Sequence, residues 1–395
     1  SDYKIHLIVH WGVEAPFAPQ GFCSGVVGMN ALRVADLFCG AGGLSLGFRD
    51  ADFDLKFSAD NDFDSVETYR ANLGAHVHQL DLSKGSASSL AAMISTAVGD
   101  IDVLVGGPPC QGFSMQGRGD IDDDRNDLLL RHVRIGIALG AKAVAFENVP
   151  TVLGPRGRKY LDTALAALAR GGYSVNSAVL QAADFGVPQL RRRAFVVAIK
   201  RNAQSLPFDF PSPLRAASEY VTVREAFSGL PPPPEDFSEH VAFENHQRRK
   251  ISDTNLERIS FVPEGGGRLD IPARLRLPCH AKDDGHRHLD VYGRMWWDRP
   301  APTITAMFDN FSRGRFAHPT ENRNITNREG ARLQSFPDSF VFMGDKKSVA
   351  RQIGNAVPPL LAHAVAKAIS RSLGLRPEQH IVHRPVQRVE YICAE

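Results

Sequence analysis

Asp36-Leu37-Phe38-Cys39-Gly40-Ala41-Gly42-Gly43-Leu44-Ser45-Leu46-Gly47-Phe48 follows the short apolar run Leu32 to Val34 and leads into a helical stretch. The order is strand, glycine-rich turn, helix. Such a turn brings backbone N–H groups and a helix N-terminus close to a ligand's polar groups, because glycine has no Cβ to hold the ligand away. The Gly-x-Gly-Gly spacing departs from the Gly-x-Gly-x-x-Gly of dinucleotide binders, so the turn alone does not name the ligand. A second strand, Leu55 to Ala59, ends at Asp60, about 20 residues on, where an acidic residue hydrogen-bonds ribose hydroxyls in doubly wound folds. An adenosine-containing cofactor is implied. The other reading of Asp60 is a helix N-cap, with Asn61 and Asp62 beside it.

Further along, Ile101-Asp102-Val103-Leu104-Val105 is apolar and β-branched enough for a buried strand, and it runs into Gly106-Gly107-Pro108-Pro109-Cys110-Gln111-Gly112-Phe113-Ser114. Cys110 is thereby expected in the loop at a strand's C-terminal end, where open α/β sheets bind ligands. The two prolines fix the thiol's approach direction. It is either a nucleophile or a buried, inert thiol. Ala143 to Phe146 is another short strand that stops at Glu147-Asn148-Val149-Pro150, and Gln189-Leu190-Arg191-Arg192-Arg193 runs into the apolar Ala194 to Ala198. Alone, Glu147 reads as a solvated loop carboxylate and the arginines as a charged hairpin end. Together with Cys110 they bring thiol, carboxylate and guanidinium to one rim.

In this order the segments resemble the DNA (cytosine-5) methyltransferase family of the bacterial restriction-modification type. The resemblance rests on Asp-Leu-Phe-Cys-Gly-Ala-Gly-Gly from Asp36, Gly-Gly-Pro-Pro-Cys-Gln-Gly-Phe-Ser from Gly106, Phe-Glu-Asn-Val-Pro from Phe146 and Gln-Leu-Arg-Arg-Arg from Gln189. Arg332-Leu333-Gln334-Ser335-Phe336-Pro337-Asp338 and Gln352-Ile353-Gly354-Asn355-Ala356-Val357-Pro358-Pro359 resemble the last two motifs, so the match covers Val34 to Ile369. It implies an α/β, doubly wound, Rossmann-like S-adenosylmethionine-dependent methyltransferase domain with a smaller inserted target-recognition domain. It also implies methylation of carbon 5 of a cytosine flipped out of a specific double-stranded DNA sequence. By resemblance Cys110 adds to carbon 6 of the ring, Glu147 meets ring nitrogen 3, and Arg193 holds the ring carbonyl with Arg191 beside it. S-adenosylmethionine would meet Phe38, Gly40, Gly42, Gly43, Asp60, Asp81, Pro109 and Asn355. Asp81, in Leu80-Asp81-Leu82, is alternatively a turn aspartate before Ser83-Lys84-Gly85. Gln111, Ser114, Arg268, Arg287 and Arg294 are the candidate DNA contacts.

The related enzymes acting on transfer RNA carry a Cys-Phe-Thr signature and a smaller recognition segment, neither of which this sequence has. A catalytically silent DNA-binding regulator would lack the cysteine, the glutamate or the cofactor loop. All three are intact here.

Composition is compatible and decides little. The 395 residues, 43% hydrophobic, suffice for one large core and a second, smaller domain. A net charge of +2 and a pI near 8.3 are mild, so any DNA footprint must be local. Five cysteines without a CxxC pair suggest reduced thiols. Cys279, His280, His286 and His288 match no common zinc spacing, and no metal is expected. Without an apolar run of about 18 residues or a secretory signal, the expectation is a soluble cytoplasmic monomer, nucleoid-associated through DNA, whose cognate restriction endonuclease would act separately.

The expected organisation is an N-terminal extension over 1–28, a catalytic and cofactor domain over 29–206, a target-recognition domain over 207–300, a returning catalytic part over 301–375 and a tail over 376–395. The α/β rhythm ends after Lys200-Arg201, Pro231 to Pro234 is stiff, and Gly265-Gly266-Gly267-Arg268 and Arg287 to Trp297 bring glycines, arginines and aromatics suited to reading base edges. Trp296 and Trp297 could equally be core. The helix Pro359 to Ser372 is expected beside the first strand, with Asn355 at Phe38 and Gly40. Ser1 to Gly28 carries no family motif and is expected to be dispensable, although Tyr3 to Val9 could pair at a sheet edge.

Overall fold

The computed structural model describes residues 31–109, 127–202, 205–277 and 289–374. The expectations for 1–28, Met29, Cys110, Gln111, Ser114, Cys279, His280, His286, Arg287, His288 and 376–395 lie outside the described residues.

The first half of the chain builds β1 (Arg33–Leu37), α1 (Gly43–Arg49), β2 (Asp54–Asp60), α2 (Phe63–Leu73), β3 (Val77–Gln79), α3 (Ala87–Val98), β4 (Val103–Gly106), α4 (Asp127–Ala138), β5 (Ala143–Asn148), α5 (Pro155–Arg170), β6 (Tyr173–Gln181) and β7 (Arg192–Lys200). They form a seven-stranded sheet in the order β3-β2-β1-β4-β5-β7-β6. β1 to β5 are mutually parallel, whereas β7 runs antiparallel to both β5 and β6. The doubly wound expectation holds. β4 and β5 are buried along their whole length, as helices on both faces require of central parallel strands.

Alternation along those strands divides the interior in two. Val34, Val103, Val105 and Ala145 pack with Leu361, Val365 and Ile369 on one face. Leu37, Leu104, Val144 and Phe146 pack with Ile94, Val133 and Leu168 on the other. The C-terminal helix Pro359–Ser372 therefore does return to the first strand's core, and it lies directly on α1. A Cβ at Gly47 would come within 2.4 Å of Ala362 Cβ and 2.5 Å of the Pro359 carbonyl. Only glycine permits that approach.

Beyond β7, Val223, Phe227, Met295, Ala301, Ile304, Phe308, Phe336 and Ile353 share a third core with Ala41 and Leu46 of the glycine turn and α1. A small fourth core holds Ile259, Val262, Ile271 and Tyr292 with Phe311 and Ala317. Both cores draw residues from either side of position 300, so packing continues across that expected boundary. Trp296 is half-buried, with the guanidinium groups of Arg315 and Arg299 at 4.3 and 4.9 Å from its ring centre. Trp297, also half-buried, meets Phe227 and His318 edge-on. Among the described residues no helix is long and apolar enough to cross a membrane.

Candidate active site

The glycine turn is built at the C-terminal end of β1. Its backbone needs the left-handed region at Phe38 (φ 60°), Gly40 (φ 52°) and Gly42 (φ 95°), a conformation that glycine adopts without steric penalty. Gly42 backs onto Leu73 and Tyr69, where a Cβ would lie 2.5 and 2.8 Å away, and Gly43 onto the Val357 carbonyl at 2.3 Å. Gly40 differs. Nothing lies within 4 Å of where its Cβ would be, so that side of the turn is open to a ligand.

Asp60 closes the turn from the end of β2. Its Oδ2 accepts the Gly40 N–H at 2.8 Å and its Oδ1 the Asp62 N–H at 2.9 Å. Burial pushes the carboxyl above its ordinary value. The helix cap that the sequence offered as the alternative role belongs to Asp62, whose side chain accepts from Ser65 N at the start of α2. Asp81 is tied locally: Oδ1 accepts from the Ser83 amide and hydroxyl at 3.0 and 2.6 Å, and Oδ2 pairs with Lys84 at 3.3 Å. That geometry is the aspartate turn foreseen as its other reading. Asn355 is exposed; the residues of its segment set against the turn are Ala356 and Val357, at Gly43.

The turn also rests on a buried polar network that sequence reasoning did not foresee. Asp36, on β1, is wholly buried and accepts the Ser45 hydroxyl at 2.6 Å. Ser45 meets the Tyr69 hydroxyl at 3.0 Å, and Tyr69 reaches Ser58 at 2.7 Å and His76 at 3.0 Å. Burial raises the Asp36 carboxyl to about 7.

At the next strand ends, Glu147 is the penultimate residue of β5 rather than a loop residue. Its Oε1 pairs with Arg193 Nε at 2.7 Å, with side-chain exposures of 11% and 14% respectively. Burial raises the Glu147 carboxyl, and the charges of Arg193 and Arg191 oppose that rise. A Cβ on Gly107 would stand 3.8 Å from Glu147 Oε2, so the segment leading to Cys110 passes beside the carboxylate. Asn148 ties the same segment down, donating from Nδ2 to the Pro108 carbonyl at 3.0 Å. Pro109 is the last described residue before Cys110.

Arg191 requires a correction. It is fully buried and donates to the carbonyls of Ile304, Gly354 and Ala356 at 2.8, 2.9 and 3.0 Å, so it braces the late motifs instead of facing a base. Gln189 works beside it, donating to Leu333 O and Gln334 Oε1 at 3.0 Å each and accepting from Ile304 N at 2.8 Å. Gln334 in turn donates to Ile353 O at 2.6 Å. These glutamines and Asn148 lie inside motifs visible in the sequence. Their roles follow only from which carbonyls the fold leaves unpaired.

Arg294 is a second correction. It is 3% exposed, and its guanidinium donates to the carbonyls of Val262, His318 and Ile259 at 2.6, 3.0 and 2.9 Å, so it organises the small core and is not presented to DNA. Arg268, 7% exposed, is also too buried for the surface contact expected of it. Among the described residues no group of three His, Cys, Asp or Glu side chains could hold a metal.

Residues 32–371 match the model of the C-5 cytosine-specific DNA methylase family. The chain is 39% identical over 343 residues to the type II methyltransferase M1.HphI of Haemophilus parahaemolyticus, an alignment covering 86% of this chain and 87% of that protein. It is 34% identical to the type II methylase M.HgiDII of Herpetosiphon aurantiacus, covering 88% and 98%. Among solved structures it is similar to a prophage-encoded E. coli protein assigned as a DNA modification methyltransferase, with a TM-score of 0.65 and 27% identity over 87% of this chain and 100% of that one.

Proposed function

The chain belongs to the C-5 cytosine-specific DNA methylase family and is a DNA cytosine methyltransferase, and we propose that it acts through a covalent Cys110 adduct on a cytosine flipped out of duplex DNA. The observation that carries this reading is the meeting, at one sheet edge, of the open glycine turn, the Glu147–Arg193 pair and the Pro108–Pro109 segment that delivers Cys110. A cytosine inside the stack is out of reach of such an edge, and flipping it costs a few kcal/mol.

Carbon 5 of cytosine is a poor nucleophile. Addition of the Cys110 thiolate to carbon 6 makes the ring an enamine whose carbon 5 can attack an electrophilic methyl group. Glu147, its carboxyl raised by burial, is suited to hold a proton at ring nitrogen 3, which keeps negative charge from accumulating as sulfur adds. Arg193 keeps that carboxyl in place and has further N–H groups for the ring carbonyl. Loss of the carbon 5 proton to a base and expulsion of the Cys110 sulfur then restore the aromatic ring.

The family's methyl donor is S-adenosylmethionine, which supplies the methyl group on a sulfonium sulfur. The residues present fit it: Gly40 leaves the turn open, and the Asp60 carboxylate at the end of β2 retains lone pairs for ribose hydroxyls. Phe38 and Gly40 to Gly43 would hold the methionine half and the adenine. Residues 207–300 would read the DNA word, supported from beyond that span by Phe311 and Ala317 of the small core. The likeness to type II methyltransferases favours a restriction-modification role.

The test is Cys110→Ala: methyl incorporation should vanish while S-adenosylmethionine binding persists. Methylation by that variant at near the parent rate would overturn the mechanism. Target DNA carrying 5-fluorocytosine should trap a protein–DNA adduct in the parent and none in the variant, since fluorine cannot leave as a cation.

A further inference from the structure

Between β4 and β5 the sheet comes apart at the end that carries the chemistry. Their ladder pairs Val103 with Ala143 and Leu104 with Val144 and stops, whereas β4 stays on β1 as far as Gly106 and β5 stays on β7 through Asn148. In an unbroken parallel ladder the Ala145 carbonyl would next accept from the backbone of β4. It accepts instead from His132, whose Nε2 reaches it from α4 at 3.0 Å.

His132 is completely buried. Its ring lies against Gly106, where a Cβ would be 2.9 Å from Cε1 and 3.1 Å from Nδ1. Phe38 and Phe146 flank it, with ring centres 6.4 and 6.2 Å away. Burial lowers the imidazole to about 4 and keeps it neutral, so the carbonyl fixes the proton on Nε2. Farther along the split, the Asn148–Pro108 hydrogen bond draws the two strand ends together again. The gap is thus wedged at one point and tied at the next.

We propose that His132 is a positioning residue for methyl transfer: wedged between β4 and β5, it sets the spacing between the end of β4, from which the chain leads on to Cys110, and the end of β5, which holds Glu147. The proposal rests on the roles of those two residues in the proposed reaction. Apolar packing alone would not need an imidazole here, since a leucine could fill the volume; what leucine cannot do is satisfy the Ala145 carbonyl while the strands stay apart. Without that donor the carbonyl would be buried unpaired, or the strands would close on each other and shift Glu147 relative to the thiol.

The test compares His132→Leu, His132→Asn and His132→Gln in the full chain. Methyl incorporation is followed with labelled S-adenosylmethionine on genomic DNA from a methylation-free host, and cofactor affinity by calorimetry. Glutamine places an amide N–H near the position of Nε2; asparagine reaches only as far as Nδ1. His132→Leu and His132→Asn should lose about 10- to 100-fold in kcat, the range for a misplacement near 1 Å, with cofactor Kd nearly unchanged. His132→Gln should stay within about fivefold of the parent by the same reasoning. Equal rates for the asparagine and glutamine variants would overturn the proposal, as would a fall in kcat matched by an equal loss of cofactor binding. The asparagine–glutamine pair decides even if the leucine variant does not fold. Cys110→Ala in the same assay checks the premise separately: persistent methylation there overturns the reading of the site, whereas its loss together with equal asparagine and glutamine rates overturns the wedge alone.

Discussion

Replacing Asp36 with asparagine should remove a loss of stability that the parent chain suffers as pH rises. The carboxyl is wholly buried, accepts the Ser45 hydroxyl through Oδ2, and leaves Oδ1 without a partner. Burial raises it from 3.8 to about 7. The folded chain therefore keeps the proton over a range in which the unfolded chain has already released it, and stability contributed by this group falls as pH rises from about 4 to about 7. Each tenfold difference in proton affinity between the folded and unfolded chains is worth about 1.4 kcal/mol, so the whole effect is at most about 4 kcal/mol, and relaxation around the carboxylate reduces it further. Asparagine accepts from Ser45 with the same geometry and has no charge to bury. Urea unfolding of both chains at pH 5, 6, 7 and 8 should show the variant gaining on the parent as pH rises, by about 2 kcal/mol or more between the extremes, and levelling off above pH 7. A difference that is flat with pH, or that shrinks as pH rises, would refute the assignment of a neutral buried Asp36.

Arg294→Ala should destabilise the chain by about 3 kcal/mol or more, because it strands buried carbonyl groups, yet leave the salt dependence of DNA binding unchanged. A salt slope reduced by about one would instead mark a phosphate contact. Exchanging residues 207–300 for the matching region of a relative should change the methylated word, read by bisulfite sequencing, without altering the Cys110 chemistry; an unchanged word would refute the target-recognition assignment. A chain begun at Met29 should match the full chain in melting temperature and methylation rate, and a large loss in either would make residues 1–28 part of the folded enzyme.

The sheet and its cofactor edge were legible because burial on both faces forces continuous apolar strands, and glycine is the cheap solution wherever the backbone turns left-handed or touches a neighbour. Glu147 could be placed because it lies at the end of such a strand, and Asp60 because its distance from the glycine turn matches the ribose contact of doubly wound folds. Arg191 and Arg294 could not, since a sequence gives an arginine's charge but not the carbonyl groups the fold leaves for it. An arginine in a glycine-rich, aromatic segment looks the same whether it reads a phosphate or braces a loop. Only the contacts of Arg294 with Val262, Ile259 and His318 separate the two. The expected boundary at 300 was obscured for a related reason: Met295 and Ala301 join one core, and Tyr292 and Phe311 another. Composition shifts mark where regular structure ends, not where a core does.

A parallel sheet offers its strand ends as a fixed row, about 4.8 Å apart while the ladder holds. Here it breaks after Leu104 and Val144, which separates the ends of β4 and β5 and leaves a buried carbonyl to satisfy. His132 satisfies it, Asn148 limits the opening, and Arg191 and Gln189 bind the returning chain to the same edge. All of these polar groups are buried, but only the Ala145 carbonyl, which His132 meets, is one that the broken ladder leaves without its regular partner. His132, which sequence reasoning left unassigned, is therefore the residue that compensates for that break in the sheet.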